Sequence, residues 1–280
     1  MAHIWAERRE ILYLKEKFAF DVAKDTTNIK LPQKVTFGFT LAEILITLGI
    51  IGVVAAITIP NLMTSLRNKK LESQFKKTYA ELNMATRTFY AQEASSVHDA
   101  DVILNGNNNY ILNSTKILES FMKYYKGYSM SKSYNWKNFD DSKNITQKNL
   151  SGEPITKYPC DESSVAIDMV GRLYSFDNTS TSYEYNSPDY GPKVCVDING
   201  IEKPNRLGYD RFVFVFTANN AVVPYTGTDW ARLRKNETNE NTIAKYCSKS
   251  LKSPAHTCAY FALRNKNPIG AGTYWNDFLK

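Results

Sequence analysis

Glu43 is the residue whose placement most clearly demands chemistry. It stands near the start of an apolar run from Gly38 to Pro60 that is long enough to cross a bilayer. A carboxylate left unpaired in hydrocarbon is costly, so Glu43 asks for a partner. Four cysteines follow the run, Cys160, Cys195, Cys247 and Cys258. Their spacings do not match the close Cys-x-x-Cys pairs of zinc ribbons or redox sites, and beyond residue 38 only His98 and His256 could join them as ligands. An even number of cysteines on the far side of a membrane segment points instead to two disulfides. Three connectivities exist, and the sequence-near pairs, Cys160 with Cys195 and Cys247 with Cys258, are favoured.

The remaining chemistry-bearing residues are sparse. Asp197, Asn199, Asn205 and Asp210 lie in a loop rich enough in oxygen to hold calcium, yet without the ligand order of an EF-hand. Asn199-Gly200 and Pro204-Asn205 are also turn formers, so a structural loop is the primary expectation and no other cofactor is expected. There is no Gly-x-Ser-x-Gly elbow, phosphate-binding glycine loop or paired-histidine metal motif, so the sequence does not read as an enzyme. Five Asn-x-Ser/Thr sequons begin at Asn113, Asn144, Asn149, Asn178 and Asn236, as chance gives in so Asn-rich a chain.

These residues need elements to hold them. The 280 residues suit a leader, a membrane helix and one domain of ordinary size. The net charge is +7; residues 1–38 hold seven Lys/Arg and five Asp/Glu, so the remainder carries +5. That mild excess forms no concentrated basic stripe, and without a base-reading motif nucleic acid is not an expected partner. Residues 1–37 interleave charges, among them Arg8, Arg9, Lys15, Lys17 and Lys34, and lack the apolar core of a secretory signal.

From Phe39 to about Ala94 the pattern reads as one helix, about 80 Å long if straight. Beyond Pro60 and Asn61, Leu62, Leu66, Phe75, Tyr79, Leu82, Thr86 and Phe89 recur at three- and four-residue spacing, a stripe suited to packing on a sheet. Residues 97–160 show one helix near 114–125 and otherwise weak periodicity. His98 marks the end of the long helix in this reading. Strands are expected at 164–169, 172–176, 193–198, 211–217 and 221–225, giving an antiparallel sheet of about five. A short helix over 242–251 would carry Cys247, 258–263 is a short apolar segment, and Tyr274, Trp275 and Phe278 would dock the tail. The fold class is α+β.

The word Gly38-Phe39-Thr40-Leu41-Ala42-Glu43 and the apolar run behind it closely resemble the processing and methylation site of type IV prepilins and type II secretion pseudopilins. The resemblance covers about residues 34–66 and implies a pilin-like fold, with a long N-terminal helix packed on an antiparallel sheet. It implies a cytoplasmic leader over 1–38, long for that family, and a transmembrane or filament-core half-helix over 39–63. An extracytoplasmic domain over 64–280 completes the chain. Gly38 matches the residue before the prepilin peptidase cut and Phe39 the methylated new N-terminus. Glu43 matches the glutamate that pairs with the N-terminal amine of a neighbouring subunit. Gly52 and Pro60 fall where many pilins have a glycine and a proline bounding a section that loosens in the filament. The partners implied are the peptidase, other pilin or pseudopilin subunits, the inner-membrane assembly platform and, before assembly, membrane lipid.

Charge counting disagrees about topology. Near the leader end stand Lys24, Lys30 and Lys34, and beyond the run Arg67, Lys69, Lys70, Lys76 and Lys77, which alone would place the large domain in the cytoplasm. The cleavage word and the cysteine distribution are more specific and place it outside. Two other readings share this hydropathy: a monomeric membrane-anchored extracytoplasmic binding protein, and a minor pilin that captures DNA through cations at its tip.

Overall fold

The computed structural model describes residues 38–104, 110–125, 127–156, 158–177, 191–227, 237–250 and 255–280. The leader through residue 37 and the sequons beginning at Asn178 and Asn236 lie outside the described residues. Contacts divide the chain into two units, Met1–Ala56 and Ile57–Lys280.

In the first unit the described chain is helical from Leu41, the start of α1 (Leu41–Glu93). Its large apolar side chains, including Leu45, Leu48, Ile51 and Val54, are exposed. The helix satisfies the length and composition of one membrane span.

In the second unit α1 continues through Pro60 and ends at Glu93, where Ala94 adopts φ 52°. The proline removes a backbone donor without ending the helix. Nearby, Asn61 Nδ2 donates to the Ile57 carbonyl (3.2 Å) and Thr64 Oγ1 to that of Pro60 (3.0 Å). The buried face is Asn68, Leu71, Phe75, Thr78, Leu82, Ala85, Thr86 and Phe89. Leu62 and Leu66, expected on the stripe, are 60% and 55% exposed. The domain grips the helix directly after Leu66, where Arg67 Nη2 donates to the Tyr209 hydroxyl and Asn68 Nδ2 to the Trp275 carbonyl (both 2.8 Å).

Six strands form an antiparallel meander in sequence order: β1 (Tyr128–Met130), β2 (Ala166–Asp168), β3 (Leu173–Asp177), β4 (Lys193–Asp197), β5 (Arg211–Phe216) and β6 (Val222–Pro224). The strand beyond the expected five is β1, three residues at the edge, too short to leave an alternating pattern. Strand β5 is buried throughout, as its nearly all-apolar sequence predicts. Its Phe212 and Phe214 rings meet Phe75 at 4.6 and 5.8 Å between centroids, and Phe214 stacks on Tyr79 at 5.7 Å. Aromatic pairs at these separations add to simple area burial.

The region 97–160 is more ordered than its sequence pattern implies. It holds α2 (Val97–Leu104), α3 (Tyr110–Met122) and α4 (Trp136–Ser142) as well as β1. Helix α3 buries Ile117, Leu118, Phe121 and Met122, and Phe121 meets Phe176 and Phe216 at 5.5 and 5.1 Å. His98 does not close α1; it sits in α2, whose first turn is held by Ser96 Oγ accepting from the Asp99 amide (2.8 Å).

Disulfides join Cys160 to Cys195 and Cys247 to Cys258. Helix α5 (Glu240–Lys245) ends before Cys247, while the apolar segment at Cys258 is itself a helix, α6 (Cys258–Arg264). A π-helical turn over Tyr274–Phe278 buries Tyr274, Trp275 and Phe278, and Trp275 Nε1 donates to the Ala262 carbonyl (3.2 Å). The tail is docked, as its aromatics predict.

Candidate functional site

At the start of α1, Thr40 and Glu43 form a reciprocal pair. The Thr40 amide and hydroxyl both donate to Glu43 Oε2 (2.8 and 2.9 Å), and the Glu43 amide donates to Thr40 Oγ1 (3.2 Å). This is a capping box: two amides with no partner inside the helix are satisfied by side chains. The Thr-x-x-Glu spacing is its signal in the sequence, one that the sequence analysis above does not use. Glu43 therefore has a local partner within its own chain. Both Glu43 bonds from Thr40 fall on Oε2, and Phe39 beside them is 82% exposed. A side chain built at Gly38, Gly49 or Gly52 would meet nothing nearby, so close approach of another helix there is unobstructed.

In the loop between β4 and β5 the polar side chains gather around a buried arginine. Arg211, at the start of β5, is fully buried and donates from Nε to Asp197 Oδ2 (2.7 Å) and from Nη1 to Asp140 Oδ2 (2.5 Å). Its Nη2 reaches Asp140 Oδ1 (3.0 Å) and Asn205 Oδ1 (3.1 Å), and the guanidinium lies 5.1 Å from the Trp136 ring centroid. Asp210 accepts from the amides of Asn205 (2.8 Å) and Arg206 (2.6 Å). Asn199, with its amide nitrogen toward the carboxylates, donates to Asp197 Oδ1 (2.7 Å) and Asp210 Oδ2 (3.3 Å).

The four residues nominated for calcium are thus brought together around a protein cation. Burial pushes the Asp197 carboxyl well above the ordinary carboxylate range, with Arg211 opposing, and holds Asp210 up at about 6. Among the described residues no group of three or more His, Cys, Asp or Glu side chains is arranged to hold a metal ion. Asp140 had no sequence signal: it lies 71 positions from Arg211, on a helix that the weak periodicity of 97–160 concealed.

A second buried cation ties the β2–β3 turn to α1. Arg172 donates to Asp168 Oδ2 (2.6 Å), Thr78 Oγ1 (2.9 Å) and the Glu81 carboxylate, and Tyr174 donates to Asp168 (3.0 Å). These contacts fix the sheet on the helix.

The class this arrangement defines is a pilin-like architecture: a long N-terminal helix, apolar and exposed in its first half, with its second half laid on an antiparallel sheet pinned by two disulfides. Comparison with protein-family models, curated proteins and solved structures finds no match for the chain.

Proposed function

We propose that this chain is a structural subunit of a type IV pilus or of the related pseudopilus of type II secretion. It would be cut by prepilin peptidase between Gly38 and Phe39 and assembled through its N-terminal helix. The observation that carries the reading is the union of two features in one helix. One is an exposed apolar half headed by Gly38-Phe39 with a single acid at Glu43; the other is a packed half that bears a sheet domain. The cap alone would be served by an uncharged acceptor such as glutamine, whereas the charge itself is matched in a filament core by the new amine of a neighbour. Disulfides and one candidate span support a membrane-anchored protein with its domain outside the cytoplasm. The partners are the peptidase, further subunits and the inner-membrane assembly platform.

Glu43→Gln tests this. Glutamine at this position of a capping box still serves the helix start, so the substitution removes the charge and leaves the cap. The expected result is normal membrane insertion with loss of sheared filaments. Unchanged filaments, or wild-type function with no filaments in either strain, would contradict the proposal and favour the monomeric anchored binding protein.

A further inference from the structure

The meander places the β2–β3 turn and the β4–β5 loop at one end of the sheet. The pairs Ile167–Leu173, Leu173–Asp197 and Asp197–Arg211 form a single row, and residues 168–172 and 198–210 lie beyond it. The turn and the loop touch: a side chain at Gly200, where φ is 73°, would collide with the Gly171 carbonyl oxygen. The loop also meets α1 directly after the helix's exposed apolar stretch. Arg67 Nη2 donates to the Tyr209 hydroxyl (2.8 Å), which in turn reaches Asn68 Oδ1 (3.3 Å) and the Leu279 carbonyl (3.0 Å). Lys70 Nζ stands 3.5 Å from Glu202.

This end of the domain carries an unusual surface. Met169 and Val170 at the tip of the turn are 74% and 68% exposed, and Ile201 on the loop is 57% exposed. On the helix, Leu62, Met63 and Leu66 are exposed in the two turns below the contact. Cations border them: Arg67, Lys69, Lys70 and Lys203 are all exposed. Large apolar side chains at loop tips with lysines beside them are the chemistry of a surface that enters a headgroup layer.

We propose that this end of the domain docks on the anionic phospholipid surface of the membrane that α1 enters. The proposal rests on reading the apolar half of α1 as a membrane span. Continuity favours lipid as the occupant, because the exposed run Ile57, Ile59, Leu62, Met63 and Leu66 leads straight into Arg67, Lys69 and Lys70. Charge complementarity favours it as well, since cations near an anionic bilayer gain attraction that falls off within a Debye length. The excess of Lys and Arg beyond the apolar run, which runs against the positive-inside expectation, then has a use: it holds the domain on the outer headgroups. The subunit waits in a fixed pose, with its loops on lipid, until it is withdrawn into the filament.

The test uses the full-length chain in nanodiscs with brominated acyl chains, made either with phosphatidylglycerol or with phosphatidylcholine alone. Ile201→Trp and Val170→Trp report lipid contact as quenching above that of the parent chain, whose four tryptophans, Trp5, Trp136, Trp230 and Trp275, set the baseline. The substituted positions are exposed, so the fold is not at risk, and a melting curve checks it. The expected result is quenching at Ile201→Trp in phosphatidylglycerol discs that is relieved by high salt. Lys69→Gln, Lys70→Gln and Lys203→Gln should weaken it by about fivefold each. An inserted chain with unquenched Ile201→Trp overturns the docking while leaving the membrane span intact. Equal quenching in phosphatidylcholine discs, unaffected by the lysine changes, overturns the lipid selectivity. Crosslinking from position 201 to a second copy without quenching assigns the surface to another subunit instead. A chain that stays out of the discs overturns the span and the docking together.

Discussion

Arg211→Met is the sharpest test of how the domain is held together. Methionine keeps much of the side-chain volume but removes a guanidinium that donates to Asp140, Asp197 and Asn205. Both aspartates have no side-chain exposure, so neither recovers water as a partner. Asp210 is left in place by its two backbone amides and becomes a nearby like charge. Removing one partner of a buried ion pair costs about 3–5 kcal/mol, because the other charge stays buried and uncompensated. In a domain of this size each kcal/mol lowers the melting temperature by about 2–4 °C, so a fall of about 6–20 °C is expected.

The assay is thermal unfolding of the full-length chain in detergent at neutral pH, followed by circular dichroism. Adding Asp140→Leu and Asp197→Leu to Arg211→Met should recover much of the loss, since an apolar replacement of the whole group leaves no charge behind. A loss under about 1 kcal/mol for Arg211→Met alone would refute the argument, because it would place the cluster among weak surface pairs.

The remaining predictions concern pH and disulfides. Burial raises Asp210 to about 6 and, together with Asp177, raises Glu162 to about 9, both above their unfolded values. A carboxyl raised on folding binds more protons in the native than in the unfolded state. Its contribution is present below the unfolded pKa and lost as pH rises through the folded one. The melting temperature should therefore fall from about pH 5 to pH 9, and Glu162→Gln should flatten the upper part of that slope; a rise with pH would contradict the assignment. Opening the Cys247–Cys258 bridge, with a separation of 11, should cost about 3 kcal/mol, and opening Cys160–Cys195, separation 35, about 4 kcal/mol. Serine variants compared by denaturant unfolding measure both, and a shift below about 1 kcal/mol would show the crosslinks to be dispensable.

Local periodicity carried much of this fold. The stripe Phe75, Tyr79, Leu82, Thr86 and Phe89 meets the sheet, and the all-apolar β5 lies at its centre, because in both cases spacing alone decides which atoms leave water. The same rule overreached at Leu62 and Leu66. Helical spacing says which side a residue shares, and only the reach of the docked C-terminal turn and of Tyr209 says where burial begins.

What sequence did not reveal was non-local. Asp140 finds Arg211 through the tertiary fold, and β1 is too short to show a period of two. At the candidate site the signal is local instead: Gly38, Phe39 and Glu43 stand in one contiguous word, Gly38-Phe39-Thr40-Leu41-Ala42-Glu43. The capping role of Glu43 was equally local, written in Thr40-x-x-Glu43, and it means that the acid has a partner before any neighbour arrives.

The measurement closest to the central claim is mass spectrometry of the N-terminus of the protein isolated from its own cells. The account predicts a mature chain that begins with N-methylated Phe39. A chain that retains residues before Gly38, or one cut at another bond, would contradict it.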